Sequence, residues 1–337
     1  MMKRFGLLVG VVVCAVSLGS CKILEQLKKT GAAASTNAAT TQGQGQAPSG
    51  EEEKDDQLSD KLEGYIYCMN YETQSVYRMK DLYLRDVDEA KGPTGKENHI
   101  YVLTLSPEAC IKRIDESKKK APALSDLDAA ATEYGSSLSA LDKIVNPLHD
   151  YYDHGDFKDD KFAKGKAMHK PLVDALNAFE KADKAFESKV STLNDGVQQR
   201  RLARLKSDPK AQLQYQVALS MDGAKKLVKL AEVGALDKLD ANGYNTALAN
   251  YEQTYNNMNS YIDGHAAEAD KVMMLSSFKS ASSYYLKAAK ELMRRKRDNK
   301  DFAKESGSPE NIDGHPAQVL AKYNDLIRDS NNLQFRQ

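Results

Sequence analysis

The chain has 337 residues, and its 48 Lys and Arg balance 48 Asp and Glu. That neutrality excludes a general nucleic-acid binder, whose domain would be basic. Tyrosine is abundant at 17 residues and tryptophan is absent, which makes tyrosine the main large ring available to a core.

Lys3 and Arg4 precede an apolar run from Phe5 to Leu18, the layout of a secretory signal. That run is too short to span a bilayer as a mature helix. Leu18-Gly19-Ser20-Cys21 resembles the bacterial lipobox. The resemblance implies that residues 1–20 are a signal peptide cleaved before Cys21. It also implies a diacylglyceryl thioether on the Cys21 sulfur and a fatty chain such as palmitate on the new amino group. An ordinary secretory signal with Cys21 as bystander is the alternative. Several acyl chains, at ~0.8 kcal/mol per buried CH₂, anchor a protein stably. The expected location is therefore the bacterial cell envelope, with the membrane as partner through Cys21. Lys22 stands where an aspartate retains enterobacterial lipoproteins in the inner membrane, so resemblance to that sorting pattern favours the outer membrane, with either side open. Removing residues 1–20 deletes Lys3 and Arg4 and leaves 46 − 48 = −2.

Residues 31–50, GAAASTNAATTQGQGQAPSG, have no apolar period and read as a flexible tether with a root-mean-square span of roughly 25 Å. The lipidated N-terminus and tether are placed at 21–57, and the helical body at 58–337. Glu51, Glu52, Glu53, Asp55 and Asp56 suit the start of a helix. Cys14 leaves with the signal and Cys21 takes lipid, so Cys68 and Cys110 remain. An even number in an oxidising compartment predicts a disulfide, contributing ~4 kcal/mol in the chain-entropy model. Two buried free thiols are the other reading.

The body reads as helix. Steps of three and four from Leu58 reach Leu62, Tyr65, Met69, Glu72, Val76, Met79 and Tyr83, with Glu72 the exception to an apolar row. From Leu124 they reach Leu127, Ala131, Tyr134, Leu138, Leu141, Val145, Leu148 and Tyr152. From Leu172 they reach Leu176, Phe179, Asp183, Phe186, Val190, Leu193 and Val197, with Asp183 the exception. Tyr244, Leu248, Tyr251, Tyr255, Met258 and Ile262 form a fourth row. Such a seam needs a facing helix. The predicted fold class is all-α, an elongated antiparallel bundle of long heptad-patterned helices. HIYVLTL, residues 99–105, has strand-like residues but no partner and reads as an extended connector. Ser106-Pro107 and Asp208-Pro209 place a cap before a proline at the first helical position. Pro122 and Pro171 mark breaks or kinks.

DYYDHGDFKDDKF, residues 150–162, is the densest cluster of polar chemistry. It is not a calcium loop, because Lys161 falls where the bidentate carboxylate belongs. The pairs His149/Asp153 and Asp150/His154 lie ~100° apart around a helix, and no cysteine or third histidine is close in sequence. His169 falls on the apolar seam reached back from Leu172, as a hydrogen-bonded core histidine would. No metal site is expected. The local reading is punctuation: Gly155 in the left-handed position past one helix, and Asp156 capping the next. KGPTGKE, residues 91–97, lacks the first glycine of a phosphate loop, and Glu97 stands where the hydroxyl belongs. It reads as a turn. Basic clusters at Lys118–Lys120, at Arg200, Arg201 and Arg204, and at Arg294–Arg297 suit helix carbonyl ends; the last could also dock envelope polyanions. No nucleophile, zinc-protease or haem motif appears, so no catalytic residue and no cofactor are expected.

The lipobox, KGPTGKE after a first helix with its cysteine, YYDHGDFKDDKFAKGKAMH, and the ending VLAKYNDLIRDSNNL together resemble the YiiG-like bacterial lipoproteins, a family built on a domain of unknown function. The resemblance covers most of the chain beyond about residue 58. It implies a helical, membrane-anchored envelope protein and carries no site residues with it. The resulting expectation is a non-enzymatic interaction or scaffolding module with an envelope protein or polyanion as partner. The alternative is a ligand- or lipid-binding protein with an interhelical pocket near Tyr151, Tyr152 and His169, and His154 on the same candidate surface. A metal-dependent hydrolase is the third class.

Overall fold

A computed structural model describes residues 50–231, 236–302 and 305–335. The expected signal peptide, Cys21 and the tether up to residue 49 lie outside the described residues. The described chain is all-α. Helix α1 (Gly50–Cys68) runs through a π-helical turn (Met69–Thr73) into α2 (Gln74–Asp86). Then follow α3 (Glu108–Lys118), α4 (Ser125–Asp153), α5 (Ala163–Ser207), α6 (Gln212–Ala231), α7 (Ala241–Gly264), α8 (Leu275–Arg297) and α9 (Pro316–Asn331). A two-residue antiparallel ladder, β1 (Val272–Met273) with β2 (Gln334–Phe335), is the one sheet among the described residues. Helix α1 begins at Gly50, eight residues ahead of the expected boundary at 58. The acids Glu51, Glu52 and Glu53 occupy its first turn, where the macrodipole favours them.

The chain divides into two compact units at Val197 and Gln198, inside α5. In the N-terminal unit α1 packs on α3 and α3 on α4. Thr73 meets Asp183, and Tyr83 meets His169. Rising numbers on α2 thus pair with falling numbers on α5, an antiparallel arrangement. In the C-terminal unit α6 packs on α7, α7 on α8, α8 on α9, and α9 returns to α6, closing a four-helix bundle. Tyr244 bonds the carbonyl of Ala289, and Tyr251 that of Ser282, so α7 and α8 are antiparallel too.

The heptad rows are the core. Every member of the first row is buried, including Glu72; of the others only Leu124, Leu193 and Tyr255 are half-exposed. Pro171 does not break α5. It lies inside the helix, where the missing N–H costs one backbone bond. Pro147 is accommodated in the same way inside α4. No side chain caps α3, which follows Pro107, and Pro209 lies in the connection before α6 rather than in its first turn.

The α3–α4 corner is closed by one buried cation. The Lys61 side chain is fully buried, and its ammonium donates to the carbonyls of Lys118 (3.4 Å) and Lys120 (3.2 Å) and to Asp128 (3.0 Å). Tyr65 donates to the same carboxylate at 2.6 Å. One ammonium therefore satisfies the carbonyl end of α3 and the acidic first turn of α4 together. Removing one partner of such a buried pair costs roughly 3–5 kcal/mol.

Cys68 and Cys110 are joined as a disulfide, with Cα atoms 4.8 Å apart, between the end of α1 and the start of α3. One turn back along α1, Gly64 lets the two helices touch. A Cβ there would lie 2.1 Å from Ser117 Oγ but an ordinary 3.5 Å from Ser117 Cβ. Gly64→Ala is expected to lower stability by about 1–3 kcal/mol in chemical denaturation. Adding Ser117→Ala should recover most of that loss; a double variant no better than the single would mean that the clash is with backbone.

Candidate functional site

The two charged residues that interrupt the apolar rows, Glu72 and Asp183, both lie in the core of the N-terminal unit at 3% and 2% exposure. The π-turn explains how α1–α2 reaches both neighbours. A π-turn carries one residue more than an α-turn and is often found where function requires a distortion. Here it places two consecutive side chains, Glu72 and Thr73, inward. The Thr73 hydroxyl donates to Asp183 at 2.8 Å, so the Tyr134 hydroxyl, 3.1 Å away, donates to Thr73. Tyr77 donates to the other Asp183 oxygen at 3.2 Å. Burial lifts the Asp183 carboxyl above its usual range, and the Thr73 and Tyr77 hydrogen bonds pull it part of the way back. Among the described residues no hydrogen bond to the Glu72 carboxyl is formed. Burial, then the carboxylates of Glu108 and Asp142, push it up to about 7.

The residues expected around an interhelical pocket are placed as follows. Gly155 adopts φ +80°, the left-handed position past α4. Asp156 opens a single 3-10 turn, and the cap of α5 is Asp160, whose carboxylate accepts from the amides of Ala163 (3.2 Å) and Lys164 (2.9 Å). The next helix starts at Ala163 because Lys161 and Phe162 take positive φ angles, which moves the capping position four residues on from Asp156. Tyr151 donates to Asp160 at 2.6 Å, and burial and this bond push its hydroxyl up to about 12. Tyr152 packs edge-on against Tyr151 and beside Phe157 and Phe162. Gly165 closes over both rings: a Cβ there would be 2.4 Å from the Tyr152 hydroxyl oxygen. The space between these residues is therefore filled by their own rings. His169 is buried with both ring nitrogens engaged, Nε2 with the carbonyl of Glu89 and Nδ1 with the Tyr83 hydroxyl, each at 2.9 Å. A carbonyl can only accept, so Nε2 carries the proton and Nδ1 accepts from Tyr83. Gly92, at φ +72°, lies against the imidazole. His154 stays exposed at the end of α4. His149 meets the carbonyl of Val102 at 2.6 Å. With Asn146, which bonds both backbone groups of Leu105, it holds the 99–105 connector in extended form without a partner strand. Among the described residues no group of three His, Cys, Asp or Glu is placed to hold a metal ion.

The KGPTGKE turn gathers backbone amides as a phosphate loop would, around its own Glu97. Its carboxylate accepts from Thr94 N and Oγ1 and from the amides of Gly95 and Lys96. Burial works against ionisation there, but these bonds outweigh it and hold the group at about 2. The Arg294–Arg297 cluster is likewise engaged within the chain. Arg294 pairs with Glu291, Arg295 with Glu305, and Arg297 with Asp298, while Lys296 bonds the carbonyls of Leu236 and Asp237. An open cleft of about 410 Å³ lies instead between the start of α4 and the middle of α5. Leu124, Leu127, Ser188, Lys189, Thr192 and Leu193 line it.

These features define a helical-bundle protein whose N-terminal unit is tied together by buried polar groups on its heptad seams. The chain belongs to the family described as "Protein of unknown function (DUF3829)", whose model matches residues 56–332. It is similar to the uncharacterized protein YiiG of Escherichia coli (strain K12), with 29% identity over 293 residues, covering 82% of this chain and 79% of that protein. No solved structure matches it.

Reading the sequence for apolar periodicity passed over the acceptor network, although its signal was present: a charged residue on a heptad seam is either misassigned or answered by a partner. Asp183→Ala removes the acceptor of the Thr73 and Tyr77 hydroxyls in the core, leaving Thr73 only its bond to Tyr134, at ~1–3 kcal/mol for each lost bond. Denaturant titration should show a loss of about 2–4 kcal/mol. A loss below 0.5 kcal/mol would mean that the two hydroxyls find other acceptors.

Proposed function

We propose that this protein is an acyl-anchored lipoprotein of the bacterial cell envelope whose helical body acts as a non-enzymatic interaction or scaffolding module. The observation that carries this reading is Leu18-Gly19-Ser20-Cys21, followed by the polar tract of residues 31–50. Among the described residues no helix is long and apolar enough to cross a membrane, so fatty chains on Cys21 would be the means of attachment. Lys22 directs the proposal to the outer membrane. The interaction role draws support from the direction of the polar chemistry. Asp183, Tyr134, Tyr83 and His169 bond one another or their neighbours inside the N-terminal unit, which suits holding a shape more than turning over a substrate. The engaged state of Arg294, Arg295, Lys296 and Arg297 favours an envelope protein over a polyanion as partner.

The alternative, a ligand-binding protein, rests on the cleft beside Leu127 and Thr192 rather than on the tyrosine cluster; its volume is at the lower end for small-molecule sites. Native mass spectrometry of the purified chain would have to reveal a bound molecule that Thr192→Trp displaces.

Membrane fractionation tests the anchor. The wild-type chain should pellet with outer-membrane vesicles through a carbonate wash, and its N-terminal peptide should carry the mass of three acyl chains on Cys21. Cys21→Ser should move to the soluble fraction or retain its leader. A serine variant that still pellets after correct cleavage would overturn the proposal.

A further inference from the structure

In the N-terminal unit the heptad rows are buried along almost their whole length. The exceptions are Leu124 at the start of α4 and Leu193 on α5, both half-exposed. Both line the cleft of about 410 Å³, together with buried Leu127. A heptad seam needs a cover along its length, and among the described residues it lacks one here. The cleft also carries two charges of opposite sign, Asp126 and Lys189. Among the described residues neither forms an ion pair.

We propose that the missing cover is a segment of this same chain, Ile23 to Leu27, docked in the cleft. Ile23, Leu24 and Leu27 are the only branched apolar or aromatic side chains between Cys21 and Gly50. Residues 30–49, which follow, carry no charge and no large apolar side chain. The three therefore have no counterpart in their own part of the chain, while Leu124 and Leu193 have none in theirs. The charges match as well: Glu25 answers Lys189, and Lys28 answers Asp126.

The chain enters this unit beside the cleft. Asp60 of α1 pairs with Lys120 at 3.2 Å, just ahead of Ala123 at the cleft. Along α1, Gly50 lies about 15 Å from Asp60. As a coil of its composition, the tract from Lys28 to Ser49 spans roughly 25 Å, enough to cover that distance. A linker matched to its span supplies an effective concentration in the millimolar range, so a weak contact is enough to hold the segment.

With the segment docked, residue 21 is held against the N-terminal unit. With it released, the polar tract separates the two, so a molecule that competes for the cleft lengthens the reach of the chain. The contact needs residues 22–29 and the cleft but no modification of Cys21, and it stands independently of the membrane anchor.

Disulfide trapping on the full chain tests the docking. Gln26→Cys paired with Thr192→Cys should close an intramolecular bond, identified by peptide mass. Asn37→Cys paired with Thr192→Cys is the reference: its loop is shorter, so undirected collision favours it. The Gln26→Cys pair should nevertheless form about tenfold faster, and Leu24→Asp with Leu27→Asp should abolish that advantage. Lys189→Glu should slow the Gln26→Cys pair, and Glu25→Lys added to it should restore the rate. A reference pair that forms as fast, or an advantage that survives the two leucine changes, would overturn the proposal. Bonds formed mainly between two chains would overturn it too, and would assign the cleft to a second copy.

Discussion

A buried phenol loses its water and gains from a hydrogen-bond partner, and this chain supplies one at most of its helix contacts. Among the described residues the Tyr152 hydroxyl is buried without one. Tyr65, Tyr77, Tyr83, Tyr134, Tyr244, Tyr251 and Tyr285 are all in the core. Each ring contributes the buried area of a large apolar side chain, while its hydroxyl tip must find a partner or incur a desolvation cost. A leucine seam tolerates small slips of one helix along another. A tyrosine seam does not, because a slip of one residue carries the hydroxyl past its acceptor. The positions of Asp128 and Asp183, the acceptors for Tyr65 and Tyr77, follow from this restriction.

The two units meet the requirement differently. In the N-terminal unit the partners are side chains: Asp128 for Tyr65, Asp183 for Tyr77, His169 for Tyr83 and Thr73 for Tyr134. In the C-terminal unit they are main-chain carbonyls, of Ala289 for Tyr244, Ser282 for Tyr251 and Ala224 for Tyr285. A side-chain acceptor is specific to one residue and brings its own charge into the core. A carbonyl acceptor is available on any helix and brings none. The buried acids and the Lys61 ammonium accordingly belong to the N-terminal unit.

Local signals were read well where one stretch of chain decides the outcome. Gly155 takes the left-handed position because no side chain resists it there. The 99–105 segment is extended because its Ile100, Val102 and Leu105 are buried, and the Asn146 and His149 side chains of α4 bond the backbone of Leu105 and Val102. Reading failed where two signals competed over a few residues. Asp156 and Asp160 are both good caps, and the winner was decided by the left-handed turn at Lys161 and Phe162. Pro171 is a helix breaker by itself, yet the packed rows on either side of it outweigh one lost hydrogen bond.

The sequence by itself determined the helical class, the rows that would be buried and the family, because a heptad period is a property of neighbouring residues on one helix. It also marked Glu72 and Asp183 as anomalies on those rows. Only the tertiary structure decided what the anomalies mean. Thr73 and Asp183 are 110 residues apart, and Tyr65 and Asp128 are 63 apart. Whether a buried acid is paired or left without a donor depends on which helices converge on it, and that convergence is not written in any one of them.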